Sequence, residues 1–195
     1  MLLAHLADIH LGYRQYGLLE REEDVYHAFG EAVDKIIQEH AEAVLVAGDF
    51  FHSPRPPIRA LYHAKQDIEK LKTRKIKTYF ILGDHDMPRR LGEWNPTALF
   101  ADDYFLHLKN RAVQVELGGK SVVLAGIDKQ PTQMVDEARE TLAKLSNEVK
   151  QHRAKAVLMA HVQIRGGADE LTANDLPQNF DYYALGHEHV RKIFR

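Results

Sequence analysis

Apolar and polar residues alternate in two rhythms along the chain, one of period two and one of period near 3.6. Short apolar runs at Leu2–Ala7, Ala43–Ala47 and Ile76–Leu82 predict strands, each followed closely by Asp or Gly. Between them, Val25, Phe29, Ala32, Val33, Ile36 and Ile37 recur at helical spacing, as do Leu61, Ala64, Ile68 and Leu71 after Pro56 and Pro57. Ala112–Leu117 and Ser121–Ala125 flank Gly118-Gly119 and predict a β-hairpin. A third helix is expected from Met134, Ala138, Leu142, Leu145 and Val149, with Pro131 at its start. Strands are then expected at Ala156–Ala160, Tyr182–Leu185 and Val190–Phe194, with an irregular loop over Arg165–Asn179. Strands alternating with helices read as one α/β domain carrying an antiparallel element in its second half.

Composition narrows the function classes. The chain has 195 residues, 45% of them hydrophobic, which suits one good-sized globular domain and excludes a disordered chain. Neither a membrane span nor a signal peptide is legible, so the N-terminus reads as part of the fold. With no cysteine, disulfides, thiolate metal sites and a Cys nucleophile are excluded. Lys and Arg number 26 against 28 Asp and Glu, so binding of a nucleic acid would need a local basic patch.

The candidate chemistry lies where the strands end. Asp8 and His10 follow the first strand, Asp49 the second, Asp84, His85 and Asp86 the third, His161 a later one, and His187 and His189 the one after that. Ligands of open α/β sheets collect beyond the carboxyl ends of strands, so these five segments are expected to converge. Alternation along a strand would aim Asp8 with His10, and His187 with His189, to the same side. Asp8, His10, Asp49, Asp84, His161, His187 and His189 exceed the needs of one tetrahedral ion and suit two ions sharing a carboxylate. Imidazole and carboxylate without sulfur favour Mn, Fe, Zn or Co over Ca or Mg alone.

In order and spacing, Asp8-x-His10, Gly48-Asp49-x-x-His52, Gly83-Asp84-His85-Asp86, His161 and Gly186-His187-x-His189 resemble the calcineurin-like metallophosphoesterases. The segments HLADIHLGY (5–13), AGDFFHSPRP (47–56) and YYALGHEH (182–189) are similar to one branch of that family, the SbcD-like (meiotic-recombination-eleven) nucleases of double-strand-break repair. The resemblance implies a four-layer α-β-β-α sandwich with mixed sheets. It also implies two Mn²⁺ ions, one held by Asp8, His10, Asp49 and His189 and the other by Asp49, the residue at 84, His161 and His187. His85 takes the place of the family's catalytic histidine, and His52 that of a second active-site histidine that helps place the phosphate. The implied activity is a manganese-dependent 3′–5′ exonuclease and endonuclease. Its implied partners are DNA, a second copy of the chain and an SMC-like ATPase, without a membrane, in a prokaryotic cytoplasm near the nucleoid. Arg55, Arg59, Arg89 and Arg90 are the DNA-contact candidates, since arginines beside a metal site suit phosphate oxygens.

Two departures from the family pattern matter. The family has Asn where this chain has Asp84, and the added charge is expected to tighten metal binding and weaken cleavage. Family members also continue beyond the equivalent of His189 into a DNA-binding cap and an ATPase-binding segment, so residues 1–195 read as the nuclease core alone. Two other readings stay open. One is a phosphoesterase for a nucleotide, phosphomonoester or phosphoprotein; the other is a weakly active scaffold module.

Overall fold

The computed structural model describes residues 1–88, 92–163 and 171–189. The expected strand Val190–Phe194, Arg89, Arg90 and most of the first half of the 165–179 loop lie outside these residues. In chain order the elements are β1 (Leu3–Leu6), α1 (Leu19–Gln38), β2 (Ala43–Ala47), α2 (Ile58–Thr73), β3 (Lys77–Ile81), β4 (Phe105–His107), β5 (Arg111–Leu117), β6 (Lys120–Ile127), α3 (Val135–Val149), β7 (Lys155–His161) and β8 (Tyr182–Gly186). Two four-stranded sheets result, ordered β1-β2-β3-β4 and β5-β6-β7-β8. Every pair in the first is parallel, whereas the second is mixed because the β5–β6 hairpin is antiparallel.

Strand alternation builds the layers. On β2, Val44 and Val46 join Phe29, Val33 and Ile68 in a core beneath α1 and α2, while Ala43 and Leu45 face the second sheet. On β7, Leu158 and Ala160 pack with Leu142 and Leu145 of α3, while Val157 and Met159 meet Leu45 and Ile81 between the sheets. Strands buried on both faces read as continuous apolar runs for this reason. Three apolar layers therefore separate four layers of secondary structure, in the α-β-β-α order expected. Gly126 is required on the face of β6 turned to the first sheet, since a Cβ there would run into Ile81 and Leu108. Among the described residues, no helix is long and apolar enough to cross a membrane.

Candidate metal centre

The strand ends converge as the pattern predicts, but not by strand alternation. Asp8 (φ 54°), His10 (φ 52°), Asp49 (φ 53°), His187 (φ 103°) and His189 (φ 50°) all adopt left-handed backbone conformations beyond their strands. The expected same-side aim of i and i+2 residues therefore fails for His187 and His189, which turn toward different clusters. Asp and His tolerate positive φ better than most residues, and such conformations concentrate where a site demands them. The loops are held in register by Asp8 N–H to the Gly48 carbonyl (3.1 Å) and His10 N–H to the Asp49 carbonyl (3.0 Å). Gly48 and Gly83 admit no side chain: a Cβ would strike the His161 ring from the first and Asp49 from the second.

Two groups of donors that include carboxylates result, Asp8, His10, Asp49 and His189 in one and Asp84, His161 and His187 in the other, while His10, His52 and His85 form an all-histidine third. Ligand atoms inside each group lie within 4.8 Å of one another. Asp49 joins the first two. Its Oδ1 accepts the His85 backbone N–H at 2.8 Å. Its Oδ2 lies 3.6 Å from His10 Nε2 and 3.5 Å from His161 Nε2, so one oxygen faces both groups. Asp8 accepts the His187 N–H on both oxygens at 3.0 Å and sits 3.7 Å from His189 Nε2. Asp84 Oδ2 is 2.9 Å from His187 Nδ1 and 3.4 Å from His161 Nε2.

The donor set fits divalent ions. His161 Nδ1 donates to the Ala47 carbonyl at 2.8 Å, which leaves the Nε2 lone pair aimed at the carboxylates. That Nε2 is buried and has no hydrogen-bond partner. His10 Nε2 and His189 Nε2 face each other at 3.0 Å, an arrangement of two lone-pair donors that a shared cation satisfies. Burial, with the neighbouring His85, His189 and His52, outweighs Asp49 and lowers His10 to about 4, so its ring stays neutral and free to ligate. Burial also opposes charge on His161, yet Asp49 and Asp84 prevail and raise it to about 10. The carboxylates thus draw a cation onto Nε2, a role that a metal ion fills in place of the proton. Burial alone would raise Asp84, but its His161 and His187 contacts and Lys129 hold it well below the usual carboxylate range.

His52 and His85 stand at the rim of the first group. Their rings stack at 4.8 Å, and His85 Nδ1 donates to the His52 carbonyl at 2.8 Å. His52 Nδ1 approaches His10 Nδ1 at 3.3 Å, and the Tyr13 ring lies 4.4 Å from the His52 ring. Asp86 is fully buried and accepts backbone N–H groups from Phe50 (3.2 Å), Phe51 (3.0 Å) and Gly83 (3.0 Å), which ties the Asp49 loop to the Asp84 loop. Arg55 and Arg59 are exposed, and each is ion-paired, Arg55 with Glu93 and Arg59 with Glu23. No sequence motif marks Lys129, yet its Nζ lies 3.6 Å from Asp84 Oδ1.

The chain is similar to known proteins in sequence and in fold. The DNA double-strand break repair protein Mre11 of Methanocaldococcus jannaschii is 39% identical over 198 residues, covering 100% of this chain and 53% of that protein. The protein of the same description from Sulfolobus acidocaldarius is 36% identical, covering 98% of this chain and 50% of its own length. The chain therefore spans about half the length of these relatives. Among solved structures, a dimetal phosphatase from Danio rerio superposes with a TM-score of 0.53 at 12% identity, over 89% of this chain and 74% of its own. A protein of Thermus thermophilus does so with a TM-score of 0.51, also at 12% identity, over 89% and 73%. At that identity the likeness concerns the fold alone. Residues 1–191 match the calcineurin-like phosphoesterase model, and with that match the chain belongs to the calcineurin-like phosphoesterase family.

Proposed function

We propose that the chain is the catalytic core of a manganese-dependent DNA nuclease, hydrolysing phosphodiesters as a 3′–5′ exonuclease and endonuclease in double-strand-break repair. The observation that carries the reading is the pair of donor groups joined by Asp49 Oδ2 with His85 beside them. The likeness to archaeal repair proteins supports DNA as the substrate.

When bound, two divalent ions make hydroxide available near neutral pH and offset charge on the phosphate. Asp8, His10, Asp49 and His189 would hold one, and Asp49, Asp84, His161 and His187 the other. The protein's own contribution is alignment and a proton. A carbonyl only accepts, so the bond from His85 Nδ1 to the His52 carbonyl fixes the tautomer and leaves Nε2 to exchange a proton with the leaving sugar oxygen. His52, stacked on His85, holds that ring in place and offers its own edge to the phosphate. Gly48 and Gly83 let their loops close on His161 and Asp49, which holds those two side chains in place.

Residues 1–195 act in this reading as the nuclease domain of a longer assembly that includes an SMC-like ATPase. Self-association is assigned to the surface beside α2, where Ile58, Tyr62 and Leu99 stay exposed although the apolar stripes of both α1 and α2 are buried. Parallel assays with plasmid DNA, a synthetic phosphodiester and a phosphomonoester, each with Mn²⁺, test the substrate. The nuclease reading expects DNA and diester cleavage well above monoester cleavage, and the reverse order favours the phosphomonoesterase reading.

A further inference from the structure

We infer that Lys129 is a phosphate-binding residue of this site: its ammonium offsets Asp84 and presents N–H donors to the non-bridging oxygens of the substrate phosphate. The inference rests on the phosphodiesterase reading above. The two oxygens of Asp84 face different partners. Oδ2 faces His187 and His161, while Oδ1 lies 3.6 Å from Lys129 Nζ. Among the described residues, Asp8 and Asp49 meet only histidine rings in their ion pairs, so Lys129 is the one lysine or arginine paired with a carboxylate of the two groups.

The backbone fixes that placement. Where β6 ends, Lys129 N–H donates to the Leu82 carbonyl at 2.8 Å and Asp128 Oδ1 accepts the Leu82 N–H at 2.9 Å. His107 Nε2 holds Asp128 at 2.8 and 2.9 Å, and Asn110 Oδ1 accepts the Asp128 N–H at 2.9 Å. Residues 128 and 129 of the second sheet are thus stitched to the first sheet two residues ahead of Asp84. A lysine with open water beside it usually extends its head into solvent. The Lys129 side chain is only 17% exposed and turned onto the site.

Charge and donor count give the contact its purpose. Asp8, Asp49 and Asp84 carry three negative charges against four positive ones from two divalent ions, which leaves +1. Lys129 raises this to +2, the value that an uncharged amide at position 84 would give by itself. An ionised carboxylate can only accept hydrogen bonds, whereas an ammonium has three donors and accepts none. Asp84 taken alone argues for weak phosphate binding. Lys129 supplies both the charge and the donor that Asp84 cannot.

The test measures binding of inorganic phosphate to the Mn²⁺-loaded chain by calorimetry, with Mn²⁺ stoichiometry determined for every variant. Lys129→Met should keep two ions yet weaken phosphate binding about tenfold or more, the scale of one charge-assisted hydrogen bond. Lys129→Arg should retain most of the affinity. In a chain carrying Asp84→Asn, Lys129→Met should cost less, because the amide then donates to the phosphate. Unchanged phosphate affinity in Lys129→Met with both ions bound would overturn the assignment, as would loss of an ion in that variant. A wild-type chain that binds two ions and phosphate but cuts no phosphodiester overturns the nuclease reading and leaves the Lys129 measurement standing.

Discussion

Asp49 spends its two oxygens differently, and the division explains why a single carboxylate can serve two donor groups. Oδ1 is occupied by the His85 N–H, which orients the side chain, and Oδ2 is left between His10 and His161. Because that orienting bond comes from the His85 backbone, the His85 side chain can be removed without releasing Asp49. His85→Ala is therefore expected to keep both ions while the turnover rate falls ~10²–10⁴-fold, the scale of general acid–base catalysis. Metal analysis beside single-turnover kinetics checks this; loss of an ion in the variant would make His85 a structural residue. The seven metal-ligand candidates were legible because each follows an apolar run, three of them directly after a glycine. Lys129 was not, since a lone lysine after a strand carries no local signal. Its meaning arises only from the packing of one sheet on the other.

The loops between elements are held by buried carboxylates. Asp86 satisfies three backbone N–H groups from two different loops, so its removal leaves all three without a partner. At about 1–3 kcal/mol for each buried unsatisfied group, Asp86→Ala should destabilise the chain by about 3 kcal/mol or more, measured by urea unfolding. A loss below about 1 kcal/mol would show that water replaces the carboxylate. Glu22, buried at the start of α1, accepts from the Tyr26 hydroxyl at 2.6 Å and Arg14 at 2.7 Å. Burial alone would raise its pKa, but these partners outweigh burial and lower it from 4.5. Its contribution is thus complete above the unfolded value and is lost as the pH falls through the lower folded value. Glu22→Gln should flatten the fall in stability below about pH 4.5, and an unchanged acid limb would contradict this. The three helices and seven of the eight strands were legible because their apolar spacing is long enough to have a period. Strand β4, Phe105–His107, was not: three residues hold no period, and its pairing with β3 supplies the order that its sequence lacks.

Across the whole molecule, the site exists because two sheets packed face to face over a shared apolar layer bring the ends of their strands together. The first supplies Asp8, His10, Asp49, Asp84 and His85 from the loops after β1, β2 and β3. The second supplies His161, His187 and His189 from β7 and the end of β8. A Cβ on Gly186 would strike the Ala47 carbonyl and the His161 ring, so the glycine permits the approach. Each of the two carboxylate-bearing groups draws residues from both sheets. The claim that the chain binds two ions through these residues is tested most directly by counting Mn²⁺ per chain after saturation and desalting, in the wild type and in His161→Ala. Two ions in the wild type and one in the variant are the predicted result. One ion or none in the wild type, or two retained by His161→Ala, would contradict it.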